Sequence, residues 1–257
     1  MTEQDITSKT KAWKAIFDKY NIYNHDFSLP YFISAKNIKS ATKHFDKTAE
    51  KEVRIICKQD TRESRPDIFK ELGLFLLPVK NGEYAILKGE GYIDIPLIKD
   101  TPKTYKSSLN FKLDTSLIGD SEMQHLDYAY ASSLIRHFMK DDSLVLTIRG
   151  RKYTPKFEMI VNNNKLTIES VQTEVDAGYE GEKQVVLIEA KNIKTDNVII
   201  RQLYFPFRQW QSHTNKKVIT LFFSKSNNIY SIWKFEFKNP ENYNSIFLTD
   251  SAKFVIT

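Results

Sequence analysis

A single cysteine, Cys57, stands in a chain of 257 residues. It excludes an internal disulfide and any zinc site built from several cysteines. No apolar run approaches the roughly 18–20 residues that cross a bilayer as a helix. The first residues, MTEQDITSKTKAWKAIF, lack the apolar core and cleavage site of a secretory signal. These absences together lead us to expect a cytoplasmic protein. No Gly-rich loop of the phosphate-cradling kind occurs, which argues against nucleotide hydrolysis. His44, His125 and His137 have no metal-ligand spacing with one another. The chain also has no internal repeat and no low-complexity tract.

What is there belongs to a globular protein: 41% hydrophobic and 27% charged residues, in a length that suits one large domain or two small ones. The net charge of +6 admits a polyanionic partner without requiring one, so local arrangement must decide. Residues 1–50 read as helical and basic, with a helix starting near Ser34 that carries Lys36, Lys39 and Lys43 on one face. VRIICK, LFLLPV, EYAILK and YIDIPLI then read as short strands, divided by Pro78, Asn81-Gly82 and Gly89/Gly91. Lys103 to Asp120 reads as a polar connector. The spacing of Leu126, Tyr130, Leu134 and Phe138 predicts one helix over 121–140. SLVLTIRG, KFEMIVN, KLTIESVQTEVDA and QVVLIEAK follow as strands, then a helical segment over 197–213, then VITLFFS and IYSIWKFEF. We expect an α/β (α+β) protein with a mixed central sheet flanked by helices. We divide it into an N-terminal α+β region, 1–105, and a second domain, 106–257.

The chemistry concentrates in ESVQTEVDAGYEGEKQVVLIEAK, residues 169–191. Alternation puts Gln172, Glu174 and Asp176 on one face of a strand and Val171, Thr173 and Val175 on the other. After a turn, Val185 to Ile188 form an unbroken apolar run, the mark of a strand buried on both faces. That strand ends in Glu189-Ala190-Lys191, with its two charges on one face. A carboxylate at the end of a buried strand is costly unless something compensates it. A hairpin that sets Asp176 beside Glu189 creates repulsion that a divalent cation relieves, and hard Mg²⁺ prefers such oxygens. With Lys191 to hold water or offset charge on a phosphate, this is a sufficient toolkit for phosphodiester hydrolysis.

Asp176 and Glu189-Ala190-Lys191 resemble the motif of the PD-(D/E)xK nuclease superfamily, with Val175 where the nominal motif has proline. QTEVDAGYE, VVLIEAK, IRQLYFPFRQW and the upstream SRPDIFKE…LPVKNGEYAI together resemble a group of type II restriction endonucleases. The resemblance covers most of the chain. It implies a restriction-endonuclease-like core, and Mg²⁺ held by Asp176, Glu189 and the backbone carbonyl of Ala190. It also implies cleavage of double-stranded DNA to 5′-phosphate and 3′-hydroxyl ends. A homodimer would match a palindromic site, residues 1–105 would contribute DNA contacts or the dimer interface, residues 106–257 would be the catalytic domain, and a cognate DNA methyltransferase would be the genetic partner. Two decoys are set aside. Glu236-Phe237-Lys238 sits opposite an aromatic face, and Pro66-Asp67 has no acid-x-Lys strand within reach.

Other residues carry two readings each. Glu174 is an auxiliary acid or a solvated strand residue. Glu122 is a helix acid that joins the site or a plain N-terminal residue. Gln202 and Arg201 lie nearest Lys191 and either orient water and phosphate or are surface groups. Tyr204 and Arg208 follow on the same face and are either candidates for DNA contact or groups of surface charge and helix packing. Arg149, Arg151 and Lys152 lie in RGRKYTPK, which has no acid, and form the candidate DNA-binding segment. The rivals to a site-specific endonuclease are a structure-specific repair or recombination nuclease, and a non-catalytic DNA-binding regulator on the same scaffold.

Overall fold

The computed structural model describes residues 3–117, 120–192 and 194–257. Ile118 and Gly119, within the expected connector, lie outside them. The N-terminal unit begins with α1 (Glu3–Tyr20), β1 (Tyr31–Ser34) and α2 (Ala35–Thr42). Short helices α3 (Thr48–Lys51), α4 (Val53–Ile56) and α5 (Asp67–Glu71) follow, and then the hairpin β2 (Leu74–Lys80) and β3 (Glu83–Lys88). Ser34 caps α2 by accepting the Asn37 N–H at 3.1 Å, as its position before an amphipathic run leads one to expect. The expected strand VRIICK is instead helical. Val53 and Ile56 are three residues apart and both buried against α1, a spacing that a single helical turn satisfies and a strand does not. Pro66-Asp67 opens α5, with Asp67 exposed.

The hairpin β2–β3 serves two cores. Leu74, Leu76 and Ile86 pack among the N-terminal helices, while Phe75, Leu77, Ala85 and Leu87 join the large core of the second unit. Both faces of the hairpin are therefore buried, which ties the two units together.

The rest of the chain comprises β4 (Tyr92–Asp94), β5 (Lys103–Tyr105), α6 (Glu122–Ala131), α7 (Leu134–Met139) and β6 (Val145–Tyr153). Next come β7 (Phe157–Val161), β8 (Asn164–Ile168), β9 (Gln172–Glu180), β10 (Gln184–Lys191), β11 (Asn197–Ile199) and α8 (Arg201–Gln211). It ends with β12 (Lys217–Ser226), β13 (Ile229–Phe237) and β14 (Ile246–Ile256). A mixed seven-stranded sheet in the order β5-β14-β13-β12-β10-β9-β6 is the centre of the fold. β10 and β12 are parallel and are joined through α8 on one face, while α6 and α7 cover the other. The expected mixed α/β architecture is what the chain adopts. Segment 92–105, assigned above to the N-terminal region, pairs with strands of this second unit: β4 with β11, and β5 with β14.

The predicted helix over 121–140 is two helices. Ser133 adopts φ 65°, a left-handed conformation that breaks the run between α6 and α7. The segment expected to be helical from Asn197 starts as β11, and its helix runs from Arg201 through Pro206 without stopping. β10 is buried on both faces as its composition demands: Val185 and Leu187 face the core under α8, and Val186 and Ile188 face the core under α6 and α7. Complete burial of four such side chains stabilises the fold by about 1.5–3 kcal/mol each.

The alternation in β9 slips one residue at Asp176. Val171 and Val175 belong to the α8-side core, but Ala177 and Tyr179 belong to the opposite one. The pairing of β6 with β9 carries two irregularities over the same stretch, where Gly150 has φ 81°. The expectation of one continuous Gln172/Glu174/Asp176 face therefore holds only up to the slip. Gly178 lies just beyond it, and a Cβ there would stand 2.7 Å from the Ile148 Cβ. Gly178→Ala is expected to lower the unfolding free energy by about 1–3 kcal/mol through overpacking, measured by urea denaturation. An unchanged midpoint would contradict the close approach.

Candidate active site

β9 and β10 pair from Val185↔Glu180 to Ile188↔Ala177, and there the ladder ends. Past that point the strands part, and the Asp176 carboxylate takes over as acceptor: the Ala190 N–H donates to its Oδ2 at 2.8 Å. This single bond fixes Asp176 against the Glu189-Ala190-Lys191 segment. Glu189 is buried, with 8% of its surface exposed. Lys191 donates to Glu189 Oε1, and Gln202, in the first turn of α8, donates to the same oxygen at 2.7 Å. From the other face, Glu122 at the start of α6 accepts the Asn192 N–H at 3.2 Å. Ser121 caps α6 in a reciprocal capping box with Gln124, which holds Glu122 at the helix end. The structure thus brings Asp176, Glu189, Lys191, Gln202 and Glu122 to one end of the sheet.

Burial dominates the electrostatics. It pushes the Glu189 carboxyl up to about 7, with Asp176 adding to the rise and Lys191 opposing it. Burial also raises Asp176, against the Ala190 N–H and the Lys191 charge, while Glu122 and Glu174 push it further up. Burial works against the Lys191 ammonium, but the adjacent Glu189 outweighs it, and the net displacement is upward. Lys191 is therefore a cation at neutral pH, suited to hold and stabilise rather than to accept a proton.

Among the described residues, Asp176 Oδ1 and Glu189 Oε2 have no hydrogen-bond partner, whereas Oδ2 and Oε1 are engaged. Gln202 Oε1 is buried and also without a partner. No three His, Cys, Asp or Glu side chains among the described residues converge as a metal cage. The donors on offer are two carboxylates and a backbone carbonyl, all hard oxygens. That set fits a cation such as Mg²⁺, which keeps several waters and needs only one or two carboxylates.

Glu174 is exposed and pairs with its cross-strand neighbour Arg151 at 3.2 Å. It also lines a small cleft, of about 10 Å³, with Glu189, Gln202, Leu203, Pro206 and Thr220. Lys152 is exposed on the same strand as Arg151, and Arg149 is ion-paired with Asp127 of α6. Tyr204 and Arg208 are not brought to the site. Tyr204 is fully buried, and its hydroxyl donates to the Pro240 carbonyl at 2.7 Å. Arg208 stacks 4.7 Å over Phe157 and donates to the Tyr204 hydroxyl and the carbonyls of Glu158 and Pro240. Burial removes Tyr204 from the candidates for DNA contact, and the half-exposed Arg208 packs with it against β7 and the segment after β13. Glu236, in the decoy triplet, is paired with Lys217 at 2.6 Å and with Lys234 at 3.5 Å.

Sequence reasoning missed Asp60. It pairs with Arg201 at 3.4 Å, and its charge acts on Glu189. The residues lie 141 positions apart, and nothing in the local pattern KQDTRES marks this aspartate out.

The chain belongs to a family described as a domain of unknown function, DUF6997, whose model matches residues 87–255. A second domain of unknown function, DUF6996, matches residues 10–86. No curated protein matches, and no solved structure matches.

The Asp176–Ala190 bond makes a structural prediction that needs no activity. Asp176→Asn keeps an acceptor for the Ala190 N–H, whereas Asp176→Ala leaves it buried and unpaired. The alanine variant is expected to be less stable than the asparagine variant by about 1–3 kcal/mol, measured by chemical denaturation at pH 8. Equal stabilities would contradict the bond.

Proposed function

We propose that this protein is a Mg²⁺-dependent endonuclease that hydrolyses double-stranded DNA at a short specific sequence, a type II restriction endonuclease. The observation that carries the reading is the convergence of Asp176, the buried Glu189 and Lys191 at the parting ends of β9 and β10. Glu189 is buried and Asp176 half-buried, each has one oxygen without a partner among the described residues, and a divalent cation would relieve their repulsion. A mixed sheet with a parallel β10-α8-β12 crossover, flanked by helices on both faces, supports the resemblance to the PD-(D/E)xK nucleases. No helix among the described residues is long and apolar enough to cross a membrane.

Asp176, Glu189 and the Ala190 carbonyl would hold Mg²⁺, which supplies Lewis-acid polarisation of the scissile phosphodiester. The chain's own groups do the rest. The Lys191 ammonium holds the attacking water and offsets the charge that grows on the phosphoryl oxygens. Gln202 Oε1, the unpaired acceptor, takes a hydrogen bond from that water and orients it. Water oxygen bonds to phosphorus in line as one of its O–H bonds breaks and the proton passes to solvent; the bond from phosphorus to the 3′ oxygen breaks, that oxygen takes a proton from solvent, and the products are a 5′-phosphate and a 3′-hydroxyl. Arg151 and Lys152 lie on the edge strand beside β9 and suit phosphate contact. A two-fold homodimer would act on a palindrome, and a cognate methyltransferase would protect the host site.

The test is digestion of unmethylated phage DNA with Mg²⁺ or with EDTA, by wild type and Lys191→Ala. We expect discrete fragments that need Mg²⁺ and a loss of at least about 100-fold in rate for the variant, the scale of removing one transition-state stabiliser. No cleavage by folded wild type across several DNAs, with Mg²⁺ or Mn²⁺, would refute the enzyme. A Mg²⁺-dependent smear would refute site specificity.

A further inference from the structure

The segment from Lys58 to Glu63 belongs to the N-terminal unit but is fastened to the residues that follow the candidate catalytic strand. The Ile199 N–H donates to the Asp60 carbonyl at 2.8 Å. The buried Asn197 accepts the Arg62 N–H at 2.7 Å and donates to both Glu63 oxygens at 3.0 Å. Asp60 itself is largely buried, with 17% of its side chain exposed. Its Oδ1 meets Arg201 at 3.4 Å and its Oδ2 meets Lys58 at 3.4 Å.

These contacts all gather at the start of α8. That helix has no acid in its first turn and no side-chain cap from its N-cap residue, Ile200. A helix N-terminus carries partial positive charge and favours a nearby carboxylate. Asp60 reaches this turn from a distant part of the chain, its carbonyl accepting the Ile199 N–H and its carboxylate paired with Arg201. Arg201 is followed directly by Gln202, whose amide reaches Glu189. Pro206 has no N–H to donate to the Gln202 carbonyl four residues earlier, so this turn is held less firmly by its own helix. The orientation of Gln202 then depends on what anchors Arg201.

We propose that Asp60 is a positioning residue for the candidate site, contributed by the N-terminal unit: by anchoring Arg201 and β11 it sets the first turn of α8, from which Gln202 orders Glu189. The proposal rests on the metal-site reading for its Mn²⁺ part and on the nuclease reading for its kinetic part. It gives the N-terminal unit a role in catalysis beyond contact with DNA, since the residues that make the site all lie in the matched segment 87–255 and Asp60 lies in 10–86.

The test uses the full chain with Asp60→Ala, Asp60→Asn, Asp60→Glu and the double variant Asp60→Ala/Arg201→Ala. Three readouts are taken: Mn²⁺ titration by calorimetry without DNA, steady-state cleavage, and amide hydrogen exchange over 197–204. We expect Asp60→Ala and Asp60→Asn to weaken Mn²⁺ binding by about 10-fold. They should lower kcat with little change in KM and speed exchange over 197–204. Asp60→Glu should recover most of the loss, and the double variant should be no worse than Asp60→Ala, because the two residues act as one pair. If Asp60→Ala does not fold, Asp60→Asn, which keeps the size and the backbone contacts, decides the matter. Wild-type Mn²⁺ affinity and kcat in a folded Asp60→Asn variant would overturn the proposal while leaving the nuclease reading standing. Mn²⁺ binding without DNA cleavage by the wild type would overturn the nuclease reading, and the Mn²⁺ titration would still decide Asp60. A wild type that neither binds Mn²⁺ nor cleaves would overturn both.

Discussion

The hydrogen bond from the Ala190 N–H to the Asp176 carboxylate, 2.8 Å long, stands where two strands stop pairing. One rung earlier, backbone accepts from backbone; here a side chain has replaced it. The replacement lets β9 and β10 diverge without leaving a buried donor unsatisfied, an omission that would itself cost about 1–3 kcal/mol. It also engages one carboxylate oxygen and leaves the other without a partner among the described residues. Glu189 repeats the arrangement, with Oε1 engaged by Lys191 and Gln202 and Oε2 unengaged. The two unused oxygens are the feature from which the functional reading grows.

Such a site is expensive. Burial drives Glu189 and Asp176 toward their protonated forms, and Lys191 offsets only part of the penalty. The fold tolerates the strain because β10 is an inner strand whose apolar residues are covered on both faces, and because α6 and α8 close on it from opposite sides. Stability supplied by the core is in this way used to hold an unfavourable charge cluster still. That is the common condition of sites that need preorganised groups.

Much of this was legible in the sequence, and the reason is local. An apolar run of four residues ending in Glu-x-Lys specifies a doubly buried strand with charges at its end, and that is how β10 lies. The hairpin turn at Asn81-Gly82, where Gly82 has φ 78°, was legible for the same reason. Features set by distant contacts were not. VRIICK carries β-branched residues yet folds as a helical turn, because α1 offers a partner three residues apart. Tyr204 lies on what a helical wheel marks as a polar face, yet it is fully buried against β7 and the segment around Pro240. The slip in β9 at Asp176 depends on irregular pairing with β6, and Asp60 reaches the site only because Asn197 and Ile199 hold its loop. β14, the longest strand, falls after the last segment that alternation had marked.

The central claim is that the parted ends of β9 and β10 hold a divalent cation. Crystals of the protein soaked in Mn²⁺, with an anomalous difference map, test it most directly. The account predicts one peak per chain within coordination distance of Asp176 Oδ1, Glu189 Oε2 and the Ala190 carbonyl, absent from crystals of Asp176→Asn. A map with no peak at that position would contradict it, whether Mn²⁺ appears elsewhere or not at all. The carboxylate pair would then be a structural charge cluster and not a catalytic centre.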